Sequence, residues 1–238
     1  VTMAEYVTIP TLDGPKRDAA AFNAYVARPA QAPKAAIIVI QEIFGINPGI
    51  RRKCDSWAQL GYLALAPDLF FRMKPGIELD PDIGTQFNEA LGYFSQYSPD
   101  DGVKDIEATI HWIRREAGVG KVGCVGYCLG GRLAYMAATR TDIDASVGYY
   151  GVMIDRMLGE MHAIARPMML HIPTADHFVG PEAQKAIHEA LDPHPKVTLH
   201  DYAGLDHGFA TETGKRRNEA GAQLADARTE SFFAEHLC

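Results

Sequence analysis

The sequence predicts an α/β fold: a mostly parallel central sheet with helices on both faces. Three observations predict it. Short continuous apolar runs, the mark of strands covered on both faces, alternate along the chain with stretches of helical periodicity. One such run, 121–125, leads into Gly126-Tyr127-Cys128-Leu129-Gly130-Gly131 and then a helical pattern at 132–138, placing a glycine-flanked cysteine on a sharp strand-to-helix turn. The length of 238 residues, 47% of them hydrophobic, suits one domain, 1–238, of ordinary α/β size with a substantial core.

The elements follow in order. Val7-Thr8-Ile9 and the run 19–26 bracket Asp13-Gly14, a turn signal that predicts an N-terminal hairpin. The run 35–40 is a buried strand ending at Gln41-Glu42, and a helix runs from about Asn47-Pro48 to Leu60, with proline tolerated in its first turn. A second buried strand, 62–66, stops at Pro67-Asp68. Residues 70–84, with Pro75-Gly76 and Asp80-Pro81, form an irregular excursion over the sheet. Helices are expected at 85–97 and 102–117, the second because Val103, Ile106, Ile110 and Ile113 recur at helical spacing. After the cysteine turn come strands at 145–150 and 168–172, a helix at 182–191, an edge-like strand at 197–202 and a helix at about 217–236. There is no internal repeat, low-complexity tract or linker.

Composition excludes several function classes. A net charge of −7 and a pI near 5.7 argue against nucleic-acid and membrane-surface partners. No apolar stretch is long enough to span a bilayer, and no secretory signal pattern is legible at the N-terminus. Cys54, Cys124, Cys128 and Cys238 are spaced for neither a zinc site nor a disulfide framework, so a reducing cytoplasm is the expected compartment. The nine histidines are scattered and form no H-E-x-x-H, and no metal is expected.

A free cysteine is usually a small buried hydrophobe, which fits Cys124 inside its strand. Cys128 fits poorly, because it lies beyond the strand, between glycines, at the start of a helix whose N–H groups and dipole favour a thiolate. A thiol nucleophile needs a base, and the base an orienting group. Asp176 follows the strand 168–172, and His207 follows the strand 197–202 in a glycine-flanked loop. Both therefore lie at carboxyl ends of strands, the ligand side of such sheets. Each has a structural alternative: strand-end Asp often caps a turn, and a loop His is often inert. The order cysteine, acid, histidine, each after a buried strand, favours a catalytic triad. Asp206 competes for the acid, although its adjacency to His207 gives poor geometry. His177 competes for the base and departs from the expected order.

The chain resembles the dienelactone hydrolase family of the α/β-hydrolase fold. The matching stretches are Gln41-Glu42-Ile43-Phe44-Gly45, Pro67-Asp68-Leu69, Lys121-Val122-Gly123, the cysteine turn, Val147-Gly148-Tyr149-Tyr150-Gly151, Asp176-His177-Phe178-Val179 and His207-Gly208-Phe209-Ala210. The resemblance implies Cys128, Asp176 and His207 as the triad. It also implies Glu42 as a carboxylate beside the resting thiol, and the backbone N–H groups of Ile43 and Leu129 as the oxyanion hole. It implies Phe44, Phe87, Tyr149, Phe209 and Thr211 as substrate pocket. Family members that hydrolyse dienelactones hold the substrate carboxylate with two arginines. Phe87 and Thr211 stand at the aligned positions here, and the sequence leaves Arg72 and Arg132 as unplaced replacements.

These features predict a hydrolase that cleaves small carboxylic esters or lactones through a thioacyl intermediate, with neutral substrates competing well and no cofactor required. Two other readings use the same residues: hydrolysis of neutral phosphate triesters, and a non-enzymatic thiol redox sensor or binding protein on a hydrolase scaffold. The expected partner is a small molecule, and the expected state a monomer or small homo-oligomer.

Overall fold

A computed structural model describes residues 5–14 and 20–238. They form two compact units, Val1–Val122 and Gly123–Cys238.

The first unit carries β1 (Glu5–Pro10), β2 (Ala21–Ala27), β3 (Ala36–Ile40) and β4 (Leu63–Pro67) in the order β1-β2-β4-β3. β1 and β2 pair antiparallel, as the Asp13-Gly14 signal predicts, although Ala19 of that expectation lies outside the described residues. β2 also runs antiparallel to β4, whereas β3 and β4 are parallel. Every residue of β3 and β4 is buried, which explains why both read as unbroken apolar runs. Helix α1 (Pro48–Gln59) begins where Asn47 accepts the Ile50 N–H at 3.1 Å, a side-chain cap that satisfies one orphan donor. Helices α2 (Gly84–Gln96) and α3 (Pro99–Glu116) follow the irregular 70–84 segment. The start of α3 precedes the expected 102. Ser98 caps it by accepting the Asp101 N–H, Pro99 fills the first turn, and Asp100 and Asp101 complement the helix dipole.

The second unit carries β5 (Val122–Tyr127), β6 (Ala145–Tyr149), β7 (Met168–Pro173) and β8 (Val197–Tyr202), all parallel and in chain order. Between them lie α4 (Leu129–Arg140), a 3-10 helix at Ile154–Ala163 that the sequence reading left unassigned, α5 (Pro181–Leu191) and the C-terminal α6 (Glu219–Leu237). Strand alternation assigns the two faces. A side chain at Gly148 would meet Leu170 and the Gly131 backbone of α4, whereas its neighbour Tyr149 reaches Asp226 and Thr229 of α6. Likewise Leu170 joins the core of Tyr135, Ile154, Ile172 and Ile187, while His171 turns to Thr229. Helices therefore cover both faces of this unit's sheet. Among the described residues no helix is long and apolar enough to cross a membrane.

The cysteine turn is possible only because the backbones meet. A Cβ at Gly126 would lie 1.8 Å from the Gly130 carbonyl oxygen, and one at Gly131 would lie 2.7 Å from the Gly151 Cα. No flexible side chain can give way at either point. Gly126→Ala is expected to cost more than about 3 kcal/mol in urea unfolding, the upper end of overpacking. Gly92→Ala is the control: nothing lies within 4 Å of the added Cβ in mid-α2. It should stabilise by roughly 0.5–1 kcal/mol through lower chain entropy.

Candidate active site

Cys128 joins β5 to α4 with φ 59° and ψ −114°, a conformation that costs a non-glycine residue about 1–3 kcal/mol. The neighbouring turn after β6 holds it there. The Cys128 N–H donates to the Tyr149 carbonyl at 3.0 Å, and the Cys128 carbonyl accepts from Gly131, Arg132 and Val152 at 3.0, 3.2 and 3.4 Å. That second turn is itself unusual, because Tyr150 and Met153 also have positive φ, 40° and 61°. The Tyr150 N–H donates to the His171 carbonyl, tying the turn to β7. Two strained turns thus brace each other beside the thiol. Leu129 and Gly130 open α4, at the positions where a helix offers the backbone N–H no partner of its own.

Cys128 is partly accessible, whereas Cys54 and Cys124 are buried. Burial pushes the Cys54 thiol far up, and pushes Cys124 up to about 12 despite its 3.5 Å contact with Ser146. Both are inert packing residues, as expected for Cys124.

Asp176 serves two partners. Its Oδ1 accepts the backbone N–H groups of Phe178 and Val179 at 2.8 and 3.1 Å, and its Oδ2 lies 3.0 Å from His207 Nδ1. One oxygen therefore caps the turn and the other meets the imidazole. Side-chain exposure is 4% for His207 and 1% for Asp176, so the pair is dry. With Nδ1 on Asp176, the other ring nitrogen is left for the Cys128 side chain, to which His207 is hydrogen-bonded. Burial alone would lower the His207 pKa. Its interactions with Cys128 and its hydrogen bond to Asp176 outweigh it and push the pKa up to about 10.

The competing residues pair with each other instead. His177 Nδ1 lies 2.5 Å from Asp206 Oδ2, and Asp206 Oδ1 accepts the backbone N–H groups of His177 and His207. That pair is exposed.

The pocket residues separate. Tyr149 is fully buried, and its hydroxyl donates to Asp226 and lies 2.7 Å from Thr229. It belongs to a polar chain behind the site. Arg228 donates to Tyr202, Tyr202 meets His171 Nδ1 at 2.7 Å, His171 Nε2 meets Thr229 at 2.9 Å, and Tyr149 ends the chain on Asp226. Burial keeps His171 neutral, well below the usual imidazole value. Strand alternation turns the hydroxyl of Tyr149, expected in the pocket, toward α6. Its neighbour Tyr150, beyond the strand end, places its ring 5.0 Å from that of His207. Phe209 is buried between Tyr150 and Tyr202. The Thr211 hydroxyl is buried with no hydrogen-bond partner among the described residues. Arg72 is committed to the buried Asp105 of α3 at 2.7 Å, and Arg132 to the sulfurs of Met153 and Met157. A third cation, Arg216, lays its stem over Gly208: a Cβ there would be 3.0 Å from its Cδ.

Glu42, Ile43, Phe44 and Phe87 are carried by the first unit. Gln41 fixes the start of their loop, donating to the Glu42 carbonyl and accepting the Leu69 N–H. The Phe44 and Phe87 rings lie 5.9 Å apart. Sequence reasoning missed Tyr150 and Phe178 as neighbours of His207; the aromatic next to each matched motif residue was the available signal.

Residues 22–237 match the model of the dienelactone hydrolase family. A carboxymethylenebutenolidase of Pseudomonas putida is 35% identical over 233 residues, covering 98% of this chain and 97% of the relative. One of Cupriavidus pinatubonensis is 35% identical over 219 residues, covering 92% and 93%. A solved Klebsiella pneumoniae structure with a provisional dienelactone hydrolase assignment superposes with a TM-score of 0.80 at 25% identity, covering 98% of this chain and 100% of that one. The fold is thus the α/β-hydrolase fold, and the chain belongs to the dienelactone hydrolase family.

Proposed function

We propose that the protein hydrolyses small carboxylic esters or lactones with Cys128 as nucleophile. The observation that carries this reading is the line Asp176–His207–Cys128, dry at the acid and partly open at the thiol. In the resting site His207 is the protonated partner of the Cys128 sulfur. The sulfur attacks the carbonyl carbon, and the oxyanion is held by backbone N–H groups, those of Leu129 and Ile43 by family resemblance. As the intermediate collapses, His207 gives its proton to the leaving oxygen and a thioacyl group remains on Cys128. Neutral His207 then takes a proton from water, the hydroxide displaces the sulfur, and the carboxylic acid leaves with the site restored. Asp176 keeps the ring in the required tautomer throughout. By family resemblance Glu42 affects the ionisation of the resting thiol.

A panel of p-nitrophenyl esters, neutral and carboxylate-bearing, tests the substrate class. With Phe87 and Thr211 at the positions of the family arginines, neutral esters should match or exceed anionic ones in kcat/KM. Exclusive turnover of anionic members would overturn that expectation. Arg216→Ala would then show whether the cation over Gly208 is responsible. A p-nitrophenyl phosphate triester in the same panel tests the competing electrophile.

A further inference from the structure

We infer that Phe178 is a positioning residue: with Tyr150 it clamps the His207 imidazole and holds its catalytic edge toward Cys128. The inference rests on the catalytic role proposed for His207. Its basis is geometric. Two aromatic rings touch that imidazole, Tyr150 at 5.0 Å and Phe178 at 4.8 Å in an edge-on arrangement with an interplanar angle of 67°. Tyr150 is 2% exposed and Phe178 54%, so one ring supports His207 from the interior and the other covers it from the solvent side.

Neither ring is placed by chance packing. Tyr150 is held at positive φ by its N–H bond to the His171 carbonyl. The Phe178 N–H is anchored on Asp176 Oδ1, while Asp176 Oδ2 takes His207. One carboxylate therefore sets both the imidazole and its cover.

The second contact is needed for a physical reason. The Asp176 bond fixes one nitrogen of the ring but leaves rotation about that bond, which swings the opposite nitrogen away from the sulfur. Aromatic contact with the imidazole opposes that swing. The other groups facing His207 are Cys128, Asp176 and the Asp206 carboxylate on its backbone N–H, with the Arg216 stem over Gly208. Asp176 and Cys128 hold the ring through hydrogen bonds, and the two aromatic rings add contact around it.

Phe178→Ala and Phe178→Tyr test the clamp in the full chain, with p-nitrophenyl acetate as probe. Phe178 is half-exposed, so the alanine variant should keep its melting temperature. Its kcat should fall about tenfold, with KM changed less than twofold. The downfield His207 Nδ1–H proton resonance of the wild type should broaden or vanish. Phe178→Tyr, which keeps the ring, should restore kcat and resonance. Wild-type kcat in Phe178→Ala, a loss confined to KM, or an unchanged resonance would overturn the clamp. Failure of the underlying reading looks different, because His207→Ala would then retain turnover whatever residue 178 does.

Discussion

Replacing Cys128 with alanine lowers p-nitrophenyl acetate turnover by at least about 10³-fold and leaves the fold intact. Losing the nucleophile of a catalytic unit removes most of the chemistry, and oxyanion contacts and binding leave a small residue. Folding should be unaffected, because the Cys128 contacts that brace the turn are all backbone: its N–H on Tyr149 and its carbonyl under Gly131, Arg132 and Val152. Alanine keeps every one of them. Cys124→Ala, by contrast, alters a buried packing residue, so it should cost stability and spare kcat. Stopped-flow rates together with urea midpoints for both variants check the pair of expectations. Equal turnover by wild type and Cys128→Ala removes the proposed chemistry and leaves the redox-sensor or binding reading.

Breaking the Asp176–His207 pair has the second largest effect, and pH reveals how. Asp176→Asn should lower kcat roughly 10³–10⁴-fold. The asparagine oxygen can still accept from Phe178 and Val179, so its amide donor must face His207 Nδ1. That forces the wrong tautomer on the ring. The partners of His207 push its pKa up to about 10, so the account expects a protonated ring beside the sulfur at pH 6. Iodoacetamide should therefore alkylate Cys128 readily at pH 6. In His207→Ala that partner is gone, and an ordinary thiol with a pKa near 8.5 is ionised to only a few parts per thousand at pH 6. Alkylation should slow about 100-fold there and approach the wild-type rate above about pH 9. Cys238 is exposed and is best replaced by serine for this measurement, while Cys54 and Cys124 are buried and stay silent. A wild-type rate that tracks an ordinary thiol across the range would contradict the proposed pair.

Much of this site was legible in the chain because its logic is local. A cysteine between glycines, after an apolar run and before a helix, marks a strained turn by itself. Asp176 and His207 each follow a strand whose apolar run is visible. The helix α3 start shows that a readable signal can still be missed: Ser98-Pro99-Asp100-Asp101 is a full capping sequence, yet the apolar spacing from Val103 onward placed the start at 102. What could not be read depends on parity and on contacts between distant residues. Whether Tyr149 or Tyr150 faces His207 turns on where β6 ends and on a positive φ at a bulky residue, which no propensity favours. Phe178 looks like any loop aromatic until its ring is seen against His207. The polar chain through His171 joins β6, β7, β8 and α6, residues up to 80 positions apart, and leaves no spacing pattern.

Rapid quenching of the reaction with p-nitrophenyl acetate, followed by peptide mass spectrometry, tests the central claim most directly. The account predicts one acetyl group on the peptide containing Cys128, formed within the burst and lost with continued turnover, and absent from Cys128→Ala. Full turnover with no acylated Cys128, or an acetyl group carried by another residue, would contradict it.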